Sequence, residues 1–376
     1  MRRVYLLLLG MAMSTATDGL TAEVFDQATV WFGTGGIGIY RATIDLESGK
    51  LSEAELAAEI QSPGFLTLNS AGTRLYSLGQ LSGTEDNVAV FEIGPDRSLS
   101  VLGSVNTGGG KATHLALSRD EGTLLLAHYG GGSVAALPVD AKGKLLGPTS
   151  TIQHSGSSID PARQAQPHPH WIGPTPDNKF VFVPDLGTDE VVIYRFDPSG
   201  HTLRRHGAGK VPPGSGPRHL KFHPNNQWVY VLNEMGLTVT ALRYDAELGS
   251  LEPFQTVVAI PEADTKTPTS GSEIRMHPSG KFVYAGLRGE DLIAVFAVDQ
   301  QTGMLTFVER EPIRGSWPRN FGVDPTGKWL LAAGAESSTV AVFRIDQETG
   351  RLYFTRQVIS VPGSICVEFQ MHASRR

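Results

Sequence analysis

The chain has 376 residues, 40% of them hydrophobic, with 32 Lys and Arg against 38 Asp and Glu, for a formal net charge of −6. That composition is globular and excludes a disordered chain, a collagenous fibre or a bundle of membrane spans. Mild acidity without a Lys/Arg block argues against nucleic acid or anionic membrane as partners, and one cysteine, Cys366, makes neither an internal disulfide nor a thiolate metal cage.

The N-terminus reads as a secretory signal. Met1-Arg2-Arg3 precedes the apolar run Val4 to Met13, which is too short to cross a bilayer of about 30 Å as a helix. Small residues suited to cleavage lie at Ser14-Thr15-Ala16 and at Leu20-Thr21-Ala22. The second site divides the chain into a signal peptide, residues 1–22, and one domain, residues 23–376, in a periplasmic or secreted protein. The alternative is a cytoplasmic protein whose head is a first strand against the fold.

One phrase then recurs six times: an apolar alternation, a polar turn, and a second apolar run. The copies are FLTLNSAGTRLYSLG from Phe65, HLALSRDEGTLLLAHYG from His114, WIGPTPDNKFVFVPDLG from Trp171, HLKFHPNNQWVYVLNE from His219, IRMHPSGKFVYAGLRG from Ile274 and NFGVDPTGKWLLAAG from Asn320. Their turn residues Gly72, Gly122, Asn178, Asn226, Gly280 and Gly327 are 50, 56, 48, 54 and 47 apart. Period-two alternation around a residue that tolerates positive φ is the pattern of a β-hairpin. A third strand follows most copies, as in NVAVFEI (Asn87 to Ile93) or VAVFRID (Val340 to Asp346), and a fourth follows a Gly-containing turn. Four antiparallel strands repeated at about fifty residues make the blades of an all-β propeller. The N-terminal strands TVWFGTG and GIGIYRATID, joined to the tail strand SICVEF, supply a seventh blade and close the ring. The stretch Glu53 to Ile60 reads either as a strand with a polar face or as one short helix.

The first strand of each propeller blade lines the central channel, so polar residues at the repeat starts are candidates for a site. They are His114, the segment Gln166-Pro167-His168-Pro169-His170, Arg218-His219, Glu273 with Arg275, and Arg319. Hairpin ends return Glu234 and Arg288 to the same rim. Clustered arginines are tolerated most readily where an anion binds or negative charge develops. His168 and His170, two apart on a strand, share one face and with Glu234 make a zinc-ligand alternative. Nothing else has metal-ligand spacing, and no cofactor is expected. His154, Arg163 and Gln164 lie in a long polar insertion read as a wall over the mouth. Asp185 reads as a hairpin-end hydrogen bonder, and His223 and His277 as turn stabilisers. Nucleophile-elbow, phosphate-loop and dinucleotide fingerprints are missing from the sequence.

The motifs PHPH, GPRHLKFHP, YVLNE, SEIRMHPSGKFVY, RGEDLIAVF and PRNFGVDPTG resemble those of the seven-bladed β-propeller lactonases. That family includes propeller-type 6-phosphogluconolactonases and carboxy-cis,cis-muconate cyclases. The resemblance implies a carboxylic ester hydrolase acting on a small acidic sugar-acid lactone. It places the site at His170, Arg218, Glu234 and Arg288, and His114, His168, His219, Glu273 and Arg319 are expected to bind substrate around it. Asparagines common in the family are replaced at Leu287, at His128 and in Ala333-Gly334-Ala335, which bears on substrate identity. Lactone hydrolysis needs a base for water, donors for an oxyanion and a proton for the leaving alkoxide. Glu234 and His170 are expected to share the base and acid roles, with Glu234 favoured as base and Arg218 and Arg288 on the oxyanion or an acidic substituent. An intramolecular lyase of the cyclase type and a non-enzymatic binding propeller are the alternatives, and oligomeric state is not legible.

Overall fold

The computed structural model describes residues 25–373, apart from 86, 262–264 and 266. The expected signal peptide lies outside the described residues. Among them there is no helix, and 28 strands form seven four-stranded antiparallel sheets. Blades 1 to 6 begin at Leu66, Ala112, Gly173, Pro217, Ser270 and Asn320, in the order of the six sequence copies. Blade 7 pairs the C-terminal strand Ser364–Ala373 with Phe25–Thr34, followed by Ile37–Asp45 and Glu55–Gln61. The ring therefore closes as the sequence repeats require, and the ambiguous stretch near Glu53 is a strand.

The core is a series of apolar layers between neighbouring blades. Blades 4 and 5, for example, bury Tyr230, Leu232 and Ala241 against Ile274, Ala285 and Phe296, while blades 6 and 7 bury Trp329, Leu331 and Val342 against Val30, Phe32 and Ile44. Middle strands that bury both faces in this way read as continuous apolar runs, as in Phe180–Asp185 and Thr123–His128.

Hydrogen bonds repeat at these interfaces in register. The Tyr76, Tyr230 and Tyr284 hydroxyls donate to the carbonyls of Gly143, Gly303 and Gly350 in the following blade, at 2.9, 2.8 and 3.0 Å. Trp329 Nε1 completes the pattern into blade 7 by donating to the Leu46 carbonyl at 3.0 Å. On the hairpin turns, His223 Nε2 meets the Gly280 carbonyl and His277 Nε2 the Gly327 carbonyl, at 3.1 and 2.9 Å. Gly280 and Gly327 have φ of 75° and 74°, and a Cβ there would lie 2.6 and 2.5 Å from the histidine rings. The two turn histidines thus join adjacent blades as well as supporting their own turns. At the seam, Gln370 takes this part by donating to the Gly72 carbonyl at 2.7 Å and accepting from Trp31 Nε1 at 2.9 Å.

Because closure rests on the Ser364–Ala373 strand, a chain ending at residue 363 leaves the Phe25–Thr34 strand with one unpaired edge and opens the ring. It is expected to lose cooperative thermal unfolding. An unchanged calorimetric midpoint would show that closure does not need that strand.

Candidate functional site

Innermost strands converge on a channel whose two ends open into separate cavities. The first, of about 880 Å³, is lined by residues from the starts of the inner strands and from hairpin ends, including His170, Arg218, His219, Glu234, Arg288 and Arg319. The second, of about 570 Å³, is lined by the late residues of those strands, among them His114, Trp171, Lys221, Arg275 and Glu368. Phe65 borders both.

Backbone irregularity explains how neighbouring side chains share the first cavity. Successive strand residues normally face opposite ways. In blade 4, however, the register slips between Pro217, opposite Asn233, and His219, opposite Leu232. Arg218 is the extra residue of that bulge, so Arg218 and His219 both point into the channel. The same slip occurs between Ala112 and His114 in blade 2, and between Gly271 and Ile274 in blade 5, where it carries Ser272 and Glu273.

Glu234 anchors the charge arrangement. It follows the strand Trp228–Asn233, and its backbone is held by bonds to Gly216 and Gly271. One carboxylate oxygen, Oε2, accepts from Arg218 Nε at 3.1 Å and is ion-paired with Arg288 Nη2 at 3.0 Å, and the other, Oε1, accepts from Arg163 Nη2 at 2.7 Å. Burial would raise the Glu234 pKa, but Arg288, Arg218 and Arg163 outweigh it and hold the carboxyl below its ordinary value. Arg288 also donates to the Gly271 carbonyl at 2.7 Å and stands over the Trp317 ring. Arg319 lines the cavity without a hydrogen-bonded or ion-paired side-chain partner among the described residues. In all, five cationic side chains, Lys111, Arg163, Arg218, Arg288 and Arg319, face three carboxylates, Glu85, Glu234 and Glu336. Such an excess of partly dehydrated guanidinium charge is suited to an anion or to charge that develops on oxygen.

His170 is buried beside this group, with its ring edge-on to Tyr129 and to His219. Burial, followed by the nearby Arg218, His219, Arg319 and Arg288, pushes its pKa well below 6.5, so the imidazole is neutral at neutral pH. Its Nδ1 is buried without a hydrogen-bond partner.

The expected set does not all meet at one point. His170, Arg218, His219, Glu234, Arg288 and Arg319 line the first cavity. His114 lines the opposite one, packed between Phe65 and Trp171. His168 lines neither, because its ring stacks on Tyr129 and its Nδ1 bonds the Tyr129 carbonyl at 2.9 Å, which turns it away from Glu234. Glu273 is fully buried in the septum between the cavities. These placements correct the expectation that His114, His168 and Glu273 touch a substrate at the mouth, and no zinc triad forms from His168, His170 and Glu234. Of the departures from family pattern, His128 lies below the rim, bonded to Thr107 and Ser133, and Leu287 is buried, while Ala335 borders the cavity.

Tyr129 and Trp317 are not singled out by the sequence, which places Arg163 only in the wall over the mouth. Arg163 comes from the polar insertion, whose length was the available signal. Tyr129 directly follows the blade 2 hairpin strand as Glu234 follows that of blade 4, so aligning the repeats would have found it. The insertion is pinned by buried polar contacts. Asp185 Oδ2 meets His154 Nδ1 at 2.6 Å, Asp185 Oδ1 accepts from the backbone of His168 and Gly187, and the Tyr194 hydroxyl bonds His154 Nε2 at 2.7 Å. Gln164 Nε2 adds a bond to the Leu186 carbonyl at 2.9 Å.

Comparison with known proteins points one way. The model of the family described as Lactonase, 7-bladed beta-propeller matches residues 26–369. A 6-phosphogluconolactonase of Bacillus subtilis is 37% identical over 336 residues, covering 89% of this chain and 95% of that protein. A crystal structure of a putative 6-phosphogluconolactonase from Bacteroides fragilis superposes with TM-score 0.84 at 32% identity, covering 92% of this chain and 98% of that one. A periplasmic gluconolactonase of Pseudomonas aeruginosa does so with TM-score 0.86 at 28% identity, covering 93% and 100%.

Replacing Asp185 by Ala strands His154 and two backbone N–H groups in a buried setting. It is expected to cost about 3–5 kcal/mol, read from urea unfolding, and to make residues 154–168 the first site of proteolysis. A loss under about 1 kcal/mol would show that the insertion is held by other contacts.

Proposed function

The chain belongs to the seven-bladed β-propeller lactonase family, and on that footing we propose that it hydrolyses an acidic sugar-acid lactone in the Glu234 cavity. The observation that carries this reading is the convergence of Arg163, Arg218, Arg288 and Arg319 on a buried mouth with Glu234 among them. The substrate is a small sugar-acid lactone that carries a phosphate or another acidic group, which the unpaired Arg319 draws. A location outside the cytoplasm is supported by the cationic, apolar head of the chain and by the periplasmic relative.

In the proposed mechanism Glu234 is the base. Its Oε2 accepts from Arg218 and is ion-paired with Arg288, while Oε1 meets Arg163 alone, which leaves a lone pair for a water. That water attacks the lactone carbonyl, and Arg218 and Arg288 stabilise the oxyanion. Both Glu234 and His170 are in their basic forms at neutral pH, so neither supplies a proton in the free site. Glu234 therefore returns the proton it takes from water to the leaving alkoxide, and neutral His170 orients the reacting groups. The binding-scaffold alternative finds less support, because exposed apolar side chains such as Ile37, Val101, Leu146 and Leu248 belong to different blades.

The test is a pH-stat assay of purified protein against aldonolactones with and without a phosphate, corrected for spontaneous hydrolysis. Glu234→Gln and Arg218→Met are each expected to lower kcat/KM by roughly 10²-fold or more. Near-wild-type turnover in both would remove this site, and no acceleration of any lactone would remove the activity.

The pH profile follows from the sign of the shifts. A base whose pKa is lowered stays ionised as pH falls past 4.5, so the acid limb of kcat/KM is expected below that value. His170, neutral well below 6.5, contributes no inflection between pH 6 and 7. An inflection near 6.5 would assign the proton transfer to a histidine instead.

A further inference from the structure

Glu273 is 0% exposed and forms the wall of neither cavity, so it cannot touch a substrate, yet a buried carboxylate is costly unless its oxygens are bonded. Oε1 accepts from the Ile274 backbone at 3.1 Å, with Arg275 Nε and Lys221 Nζ farther off at 3.7 and 3.8 Å. Oε2 accepts from the Asn320 side-chain amide and lies 3.2 Å from His219 Nδ1. The other ring nitrogen, His219 Nε2, is 3.2 Å from Arg218 Nη1. A guanidinium has only donors, so His219 Nε2 must be the acceptor, and the single proton of the neutral ring must sit on Nδ1, where it donates to Glu273. The imidazolium would set an N–H against the arginine. Burial, and then the Arg218, Lys221, Arg275 and Arg319 charges, push the His219 pKa well below its ordinary value, in keeping with a neutral ring.

We propose that Glu273 is a positioning residue for Arg218, acting through the His219 tautomer. The inference rests on the reading of Arg218 as an oxyanion group. Arg218 is held on one side by Glu234 Oε2 and on the other by the Ser272 carbonyl and His219 Nε2. Glu273 keeps that last acceptor available. It also favours the charge on Arg218, which burial and the neighbouring Arg288 and Arg319 oppose. In Glu273→Gln the amide can donate to Nδ1. The ring proton then moves to Nε2 and faces an Arg218 N–H, and two opposed donors shift the guanidinium away from its place.

The experiment combines kinetics with 15N NMR of histidine-labelled protein, the His219 signal being assigned by its loss in His219→Gln. Wild-type His219 is expected as the neutral Nδ1–H tautomer from pH 5 to 8. Glu273→Gln is expected to lower kcat by roughly 10- to 100-fold, the scale of a misplaced group, with KM changed less than about threefold. In an Arg218→Met background the same substitution should cost nothing further. Turnover retained in Arg218→Met alone sinks the reading of Arg218 itself. Loss in that variant together with full activity in Glu273→Gln, or with a Glu273→Gln loss that multiplies onto Arg218→Met, sinks only the inference. If Glu273→Gln fails to fold, the wild-type spectrum decides: an Nε2–H ring or an imidazolium overturns the proposal.

Discussion

Everything in this molecule depends on the pairing of its two ends. The strand Ser364–Ala373 runs antiparallel to Phe25–Thr34 over nine partnered positions, from Phe25 opposite Ala373 to Thr34 opposite Ser364. A propeller without that seam has two open sheet edges and two apolar blade faces turned to water. The tyrosine-to-glycine-carbonyl bonds and the apolar layers hold each blade only to its neighbours, so their geometry is consistent solely when the circle is complete. The cavity inherits this condition. Its cationic side chains come from blades 4 and 5 and from three inter-blade connections, and no pair of blades brings them together alone.

A closed ring creates an electrostatic problem at its centre, where inner strands crowd polar side chains into a narrow channel. The chain answers it differently at the mouth and in the septum. In the septum, Glu273 is enclosed by His219, Asn320, Lys221 and Arg275, and Arg275 reaches on to Glu368 at 3.2 Å, so charges there are largely answered in kind. At the mouth, one buried carboxylate serves three arginines and a fourth is left over. The first arrangement is that of a support, and the second leaves charge for a ligand to answer. A septum built of packed rings, with Phe65, His114 and His219 in mutual contact and His170 against His219, keeps the two environments apart.

The reading of individual residues shows where sequence loses resolution. Repeat spacing places Arg218, Glu234, Arg288 and Arg319 at equivalent ends of their blades, and those four do share the mouth. The same spacing places Glu273 and His114 among them, and here it fails. A bulge adds one residue to an inner strand, and a side chain then falls above or below the septum according to where the slip occurs. Nothing in ATH, PRH or SEI distinguishes an Arg that turns to the cavity from a Glu that turns to the next blade. His168 was misplaced for a related reason: period-two logic assumes a regular strand, while its segment holds only a single bridge at Pro169 and pivots on Tyr129. Arg163 is expected only in the wall over the mouth, and its pairing with Glu234 is not legible because an insertion has no repeat to be aligned with.

What the sequence determined by itself is the architecture. Alternation, turn residues and a constant repeat length are local properties, and stacking seven such units is the way they bury both faces of every blade. It also determined the inventory of charges delivered to the channel. Only the tertiary structure decided which charges meet, because that depends on bulge positions, on the course of the insertion and on contacts between residues as far apart as Arg163 and Glu234. The tautomer of His219 lies furthest from the sequence. It is set by Arg218 beside it and by a carboxylate 54 residues away, and only folding makes the three neighbours.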